Sequence, residues 1–323
     1  MNLNDVARLK GCTMRGRSLE TSCGCSSVDA LLGGALPVSS FFCCDELSSK
    51  GYSVSLAKYF VAEGLYSGHE VLVVDPTDDD TIWRNVPSKM ESPESPPVPA
   101  PTPFSHPDDL RIAFRYAARS QVESSVSEKN RYDMGKAVDV DALFPSQKLT
   151  FGGPFSYEAL YRYLVELCQS ERHSRTSGHG KNLLRIVISH LGSPLWRGSE
   201  DFSAFLVRVR ALLRKSYAVL LVTTSSETMF SSMSEELLGT ADAYIRLEAI
   251  GEEEQRKLCS RDKYHGFLRI LRLPTITSIG THNPPVDLVF TQKRNAFNVS
   301  LLHLPPAFGE ADQNSKPSCN IDF

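Results

Sequence analysis

Residues 43–53, CCDELSSKGYS, join an apolar strand over 39–44 to a helical stretch over 55–64, the place where an α/β protein carries a phosphate-binding loop. Chemistry there needs glycines that let backbone amides curl around phosphates. It also needs a lysine to reach the terminal ones and a hydroxyl directly after it to hold magnesium. Here Lys50 precedes Gly51, the reverse of the useful order, and no Ser or Thr follows the lysine directly. The strand expected to supply the magnesium-holding carboxylate, LLRIVISHLG, ends in Ser189 and His190 instead. These independent losses predict a chain that does not hydrolyse ATP, with no catalytic residue, no cofactor and no metal.

Other reactive side chains are scattered. His190, at the carboxyl end of a central strand, stands where such folds bind ligands, but no carboxylate at a recognisable spacing accompanies it, so a bond to loop backbone is the plainer reading. The acidic runs DPTDDD (75–80) and GEEEQ (251–255) fall in polar turns, where solvated charge is the default. CGC at 23–25 and the pair Cys43 and Cys44 lack zinc-knuckle spacing and read as reduced thiols. The basic residues are more suggestive. Arg269 and Arg272 flank a strand and Lys293 and Arg294 occupy a hairpin tip, a group able to reach RNA phosphates; cations that protect an exposed sheet edge are the alternative.

The positioning elements follow from apolar periodicity. SSVDALLGGALPV is a short helix stopping at Gly33 and Gly34, and GHEVLVVD, LLRIVIS and YAVLLVTTS are buried strands. SYEALYRYLVELCQSE and SEDFSAFLVRVRALLRKS are amphipathic helices, the first behind a Ser156 cap, the second with Arg214 and Lys215 in its last turn as the helix dipole prefers. ADAYIRLEAI, GFLRILRLP and DLVFTQKRNAFNVSLLHLPP add strands, the last a hairpin turning near 293–295. Alternation of strands and helices followed by strands alone predicts an α/β fold with a mainly parallel central sheet and antiparallel edge strands.

Residues 87–107 hold eight of the 19 prolines, a density that forbids helix and interior strand. The expected organisation is a flexible N-terminus over 1–20 and a single domain over 21–308, with a Pro-rich disordered insertion at 85–107 and an irregular segment at 120–150. A flexible tail follows over 309–323. With 323 residues, 41% of them hydrophobic, the chain can build a sizeable core. A net charge of −3 gives no global attraction to nucleic acid, so any such contact needs a local basic patch. No apolar run is long enough to span a bilayer, and a cytoplasmic, also nuclear, location is expected.

Several stretches together resemble the family of the fourth subunit of the Elongator complex: LLGGAL, KYFVAEGLYSGHEVLVV, LRIAFRY, NLLRIVISHLGSPLW, FLVRVRALLRKS, YHGFLRILRLP and LVFTQKRNAFNVSLLHLPP. The resemblance implies a RecA-like ATPase fold, a three-layer domain that has lost its nucleotide motifs. It implies a hetero-hexameric ring with subunits five and six that docks on the Elongator catalytic core, binds tRNA and supports carboxymethyl-type modification of the wobble uridine. The iron–sulfur cluster, S-adenosylmethionine and acetyl-CoA of that chemistry belong to another subunit. In such a ring Trp196 is either an interface anchor or a core residue. Residues 225–240 correspond in position to central-pore loops, though they carry no basic residue to hold phosphate. The competing expectations are an ATPase subunit with a shared or unconventional nucleotide site and a recombinase-like DNA-binding module.

Overall fold

Strands that alternate faces under two helical layers must be apolar at nearly every position, and the central runs are. The computed structural model describes residues 9–48, 51–77, 80–90, 130–176, 181–251, 253, 264–274 and 286–302. In chain order the elements are β1 (Cys12–Arg15), β2 (Ser18–Thr21), α1 (Ser26–Leu31), β3 (Leu36–Pro37), β4 (Phe41–Leu47), α2 (Tyr52–Ser67) and β5 (Glu70–Val74). They continue with β6 (Val86–Lys89), β7 (Tyr132–Val138), α3 (Val140–Leu143), β8 (Lys148–Thr150), α4 (Tyr157–Gln169), β9 (Leu184–Ile188) and α5 (Phe202–Arg214). The last are β10 (Ala218–Thr224), α6 (Ser231–Thr240), β11 (Ala243–Ala249), β12 (Gly266–Arg272), β13 (Leu288–Gln292) and β14 (Phe297–Leu301).

The main sheet runs β14-β13-β12-β11-β4-β10-β9-β5-β8. From β11 to β8 every pairing is parallel, and β12 to β14 add an antiparallel meander at one edge. Successive residues of one strand feed opposite layers. On β4, Phe42 and Cys44 pack with α2 while Phe41 and Cys43 pack with α4, α5 and α6; on β10, Val219 and Leu221 divide from Leu220 and Val222 in the same way. The result is three layers, as expected. α4 buries Leu160, Leu164 and Cys168 along one stripe, and Ser156 Oγ accepts from the Ala159 amide at 3.4 Å to cap it. Buried Asp242 accepts from the Phe41 amide at 3.0 Å and from Arg214 at 2.6 Å, tying α5 to the central strands.

The layer over α2 centres on a buried cation. Arg185 of β9 is fully enclosed, and its fork donates to His69 Nδ1 (3.0 Å), Phe60 O (3.3 Å), Thr21 Oγ1 (2.7 Å) and Ser22 O (2.9 Å). Burial, then the Arg185 charge, push His69 down to about 3, so the ring stays neutral. Its Nδ1 accepts from Arg185 while its Nε2–H donates to Lys10 O at 2.6 Å. Gly64 makes room for this: a Cβ there would stand 2.7 Å from Arg185 Cδ.

Several sequence expectations differ from the structure. Residues 12–15 and 18–20, read as part of a flexible terminus, lie in strands β1 and β2, and Thr21 and Ser22 at the end of β2 are anchored on Arg185. The stretch read as irregular holds β7, α3 and β8 among its described residues. β7 pairs with β6, which begins inside the Pro-rich segment, and Arg131 and Tyr132 bind it to α2 through Glu63 (3.2 and 2.8 Å). Residues 91–107 and 309–323, where further disorder was expected, lie outside the described residues. Of the loop read over 225–240, residues 231–240 form α6, since Met233 and Leu237 share a buried face.

Replacing Arg185 by Met leaves its buried acceptors without donors, and urea unfolding is expected to show a loss of at least about 3 kcal/mol; a loss below about 1 kcal/mol would contradict its central role. Glu70, which accepts from Arg172 (2.5 Å) and His173 (3.0 Å), gives a pH signature. Burial pushes its carboxyl up, but those bonds and charges outweigh burial and hold it below its ordinary value. Its contribution is therefore complete above the ordinary carboxylate range and lost as pH falls through the lowered value. Glu70→Gln should cost roughly 1 kcal/mol at pH 7, narrowing in acid; a pH-independent difference would refute the linkage.

Candidate functional site

In open α/β sheets ligands bind beyond the carboxyl ends of the strands, where the chain reverses its direction of progress across the sheet. Here that point is the end of β4, flanked by β10 and β11. Ser48 (φ 55°) and Gly51 (φ 74°) turn the chain from β4 into α2 in left-handed conformations. Lys50 lies outside the described residues.

Among the described residues, donors at the Ser48 amide and the start of α2 that a phosphate could use are already bound. Glu46, 5% exposed, reaches from β4 across the start of α2: its Oε1 accepts from the Tyr52 amide at 2.6 Å and its Oε2 from Ser53 Oγ at 2.7 Å. A carboxylate at a helix N-terminus satisfies free amides and complements the helix dipole, the same interactions a bound phosphate makes. Glu227, from the β10–α6 connection, accepts from the Ser48 amide at 2.9 Å. Asp45, fully buried, accepts from the Ser226 amide at 2.8 Å and from Arg246 Nε at 2.7 Å. Burial pulls Arg246 down, but the Asp45 carboxylate outweighs it and the guanidinium sits above its ordinary value.

Magnitudes weigh against a phosphate on these two amides. At about 4 Å, each carboxylate–phosphate pair costs roughly 1–4 kcal/mol for effective dielectric constants between about 80 and 20. A millimolar complex is held by only about 4 kcal/mol. A phosphate on the Tyr52 and Ser48 amides would have to displace two carboxylates and then remain beside them. The magnesium side is equally altered: Ser189 is buried at the end of β9, and His190 (φ 52°) is exposed, its amide 3.4 Å from Thr223 Oγ1. Asp75 folds back on Thr77, accepting from its amide at 3.0 Å and its hydroxyl at 2.7 Å.

The basic residues grouped in the sequence are separated in space. Arg269 Nε pairs with Glu248 at 2.7 Å, and Arg272 donates to Leu238 O (3.1 Å) and Gly239 O (2.7 Å) at the end of α6. Gly266 pairs with Phe290, so the β13–β14 turn bearing exposed Lys293 and Arg294 lies beyond the Gly266 end of β12, roughly 20 Å from Arg272 at the other end. The antiparallel register, invisible in a linear spacing, spreads the four residues along β12 and beyond its end. Trp196 belongs to the core: it is 5% exposed and stacks on Tyr157 at 5.5 Å and 9°, with its ring enclosed by its own chain and not offered as an anchor. Cys43 and Cys44 point into opposite layers, and among the described residues no cluster of metal-ligand type occurs. Asp45 and Glu46 are the site residues that sequence reading missed. Their signal is a pair of acids closing a buried strand directly before a helix.

A parallel core in which the phosphate-loop strand lies between β10 and β11 defines a RecA-like fold, and here the Ser48 and Tyr52 amides beside that strand's end are bound by the chain's own carboxylates. The chain belongs to the PAXNEB protein family, which it matches over residues 10–321. It is similar to Elongator complex protein 4 of Danio rerio (29% identical, covering 92% of this chain and 84% of that protein). The same protein of Homo sapiens is 26% identical over 94% and 81%, and that of Schizosaccharomyces pombe 25% over 94% and 92%. The family resemblance read from the sequence is thus borne out. Among solved structures, the flagellar accessory protein FlaH of Methanocaldococcus jannaschii aligns with 90% of this chain and 98% of its own at 10% identity and a TM-score of 0.48. No helix among the described residues is long and apolar enough to cross a membrane.

Glu46→Ala should cost roughly 1–2 kcal/mol, the value of a buried helix cap. Magnesium-ATP at millimolar concentration should leave the melting temperature of the full chain unchanged, since only a ligand that binds the folded state raises it. A saturable upward shift would contradict a closed site.

Proposed function

We infer that this chain is a non-catalytic subunit of the Elongator complex. It assembles with the fifth and sixth subunits into a hexameric ring that binds tRNA and supports carboxymethyl-type modification of wobble uridine in the cytoplasm and nucleus. The observation that carries the reading is the Glu46 carboxylate on the Tyr52 amide, which occupies the place of a phosphate and leaves the sheet as a scaffold. The similarity to Elongator complex protein 4 along most of the chain supports the choice of complex. The chemistry of the modification, with its cluster and cofactors, is assigned to another subunit.

Within that reading, Lys293 and Arg294 at the exposed β13–β14 turn are free to approach RNA, whereas Arg269 and Arg272 are engaged by Glu248 and by helix carbonyls. Depleting the chain from its cell and analysing tRNA nucleosides by mass spectrometry tests the proposal. Carboxymethyl-type uridines should fall sharply and return on re-expression of either the wild-type chain or Glu46→Gln. Unchanged nucleosides after depletion would exclude the Elongator reading, and rescue by wild type alone would point to a working nucleotide site.

A further inference from the structure

The sheet is electrically polar. Its carboxyl edge gathers Asp45, Glu46 and Glu227, while its amino edge, at the starts of β9 and β10, gathers cations. We propose that Arg175, Lys181 and Lys215 on this amino edge form a phosphate-binding surface for an RNA backbone, a proposal that rests on the tRNA reading above and adds a location to it.

The surface is built from chain segments locked side by side. Residues 173–175 run against 215–217 through the Ser174–Ser216 bridge, with Arg175 N donating to Lys215 O at 3.1 Å and Tyr217 N to His173 O at 2.6 Å. Tyr217 is the platform: the Arg175 guanidinium lies 5.4 Å and Lys181 Nζ 4.8 Å from its ring centroid, and Lys181 Nζ donates to Arg175 O at 3.4 Å. Arg175 Nη2 donates to Ser39 Oγ at 2.8 Å, and Arg214 Nη1 donates to Ser39 O at 3.1 Å, which brings a further cation against the group.

Two of the local carboxylates, Asp242 and Glu70, are committed elsewhere. Asp242 takes Arg214 at 2.6 Å and Arg210 at 3.2 Å, and Glu70 takes Arg172 and His173. Glu171, exposed beside Arg172, is itself engaged. Among the described residues no carboxylate lies within ion-pair distance of Arg175, Lys181 or Lys215. Burial disfavours the Arg175 cation, Tyr217 partly offsets that and the Arg214 charge adds to it, leaving an imbalance that an approaching anion relieves. Cations spaced along an edge on separate segments suit a polyanion better than a single small ion. In a chain of net charge −3, phosphate binding has to come from such a local patch.

The test uses the full chain in the complex purified through it and a tRNA titrated between about 50 and 200 mM salt. Lys181→Ala with Lys215→Ala should weaken binding roughly tenfold at the low-salt end and reduce the slope of log K against log salt by about 2, near one unit for each phosphate left unneutralised. Arg175→Lys, which retains the charge, should lose less. Because Lys215 is exposed, the single Lys215→Ala variant keeps the test open should the double variant fold poorly; its slope should fall by about 1. Unchanged affinity and slope would overturn this site while leaving the nucleoside result, and so the functional reading, intact. Retained tRNA affinity with loss of partner subunits would also overturn it, in favour of an acidic protein surface.

Discussion

The structure turns on where a negative charge sits at the start of α2. A helix N-terminus presents amides without internal partners, and in a nucleotide-binding protein the ligand supplies their acceptor. Here the acceptor is Glu46, the penultimate residue of its own strand, with Ser53 completing the carboxylate's second hydrogen bond. A covalently tethered anion needs no cofactor to stabilise the loop. The start of α2 is therefore capped by the protein itself, and the carboxylates at this edge of the sheet oppose a triphosphate there.

Other carboxylates carry the consequence outward. Asp45 holds Arg246 of β11 and the Ser226 amide, and Glu227 holds Ser48, so the loops that would enclose a ligand are bound to each other. On the opposite edge Asp242 pairs with Arg210 and Arg214, and Glu70 pairs with Arg172 and accepts from His173, which leaves Arg175, Lys181 and Lys215 without acidic partners among the described residues. The two edges thus differ in sign. That asymmetry gives the domain an orientation that the net charge alone does not.

The parallel core was legible because each central strand is rich in apolar residues despite single charges such as Arg185 in β9, and α4 and α5 carry clear stripes that include Leu164 and Leu213. β7 was not legible, since Tyr132 is its only fully buried residue and its partner β6 contains Pro87; its place is set by Glu63 meeting Arg131 and Tyr132 across a long sequence separation. β1 and β2 escaped notice for the same reason, being polar strands held by Arg185. At the candidate site the missing glycines and misplaced lysine could be read directly. That the helix start is capped from within could not, because a carboxylate in a strand gives no sign of which amide it faces. The spread of the basic residues along and beyond β12 follows from register, and of the two places read for Trp196 the core one follows from the aromatic neighbours Tyr157 and Phe155, which only the fold brings to it.

The central claim, that the phosphate position is occupied from within, is tested most directly by amide hydrogen exchange at Tyr52, measured by NMR with and without saturating magnesium-ATP. The Tyr52 amide should be protected in the free chain, lose that protection in Glu46→Ala, and remain unchanged on adding nucleotide. An amide that exchanges freely until ATP is added, and is protected afterwards, would show that the site awaits a ligand and would contradict the account.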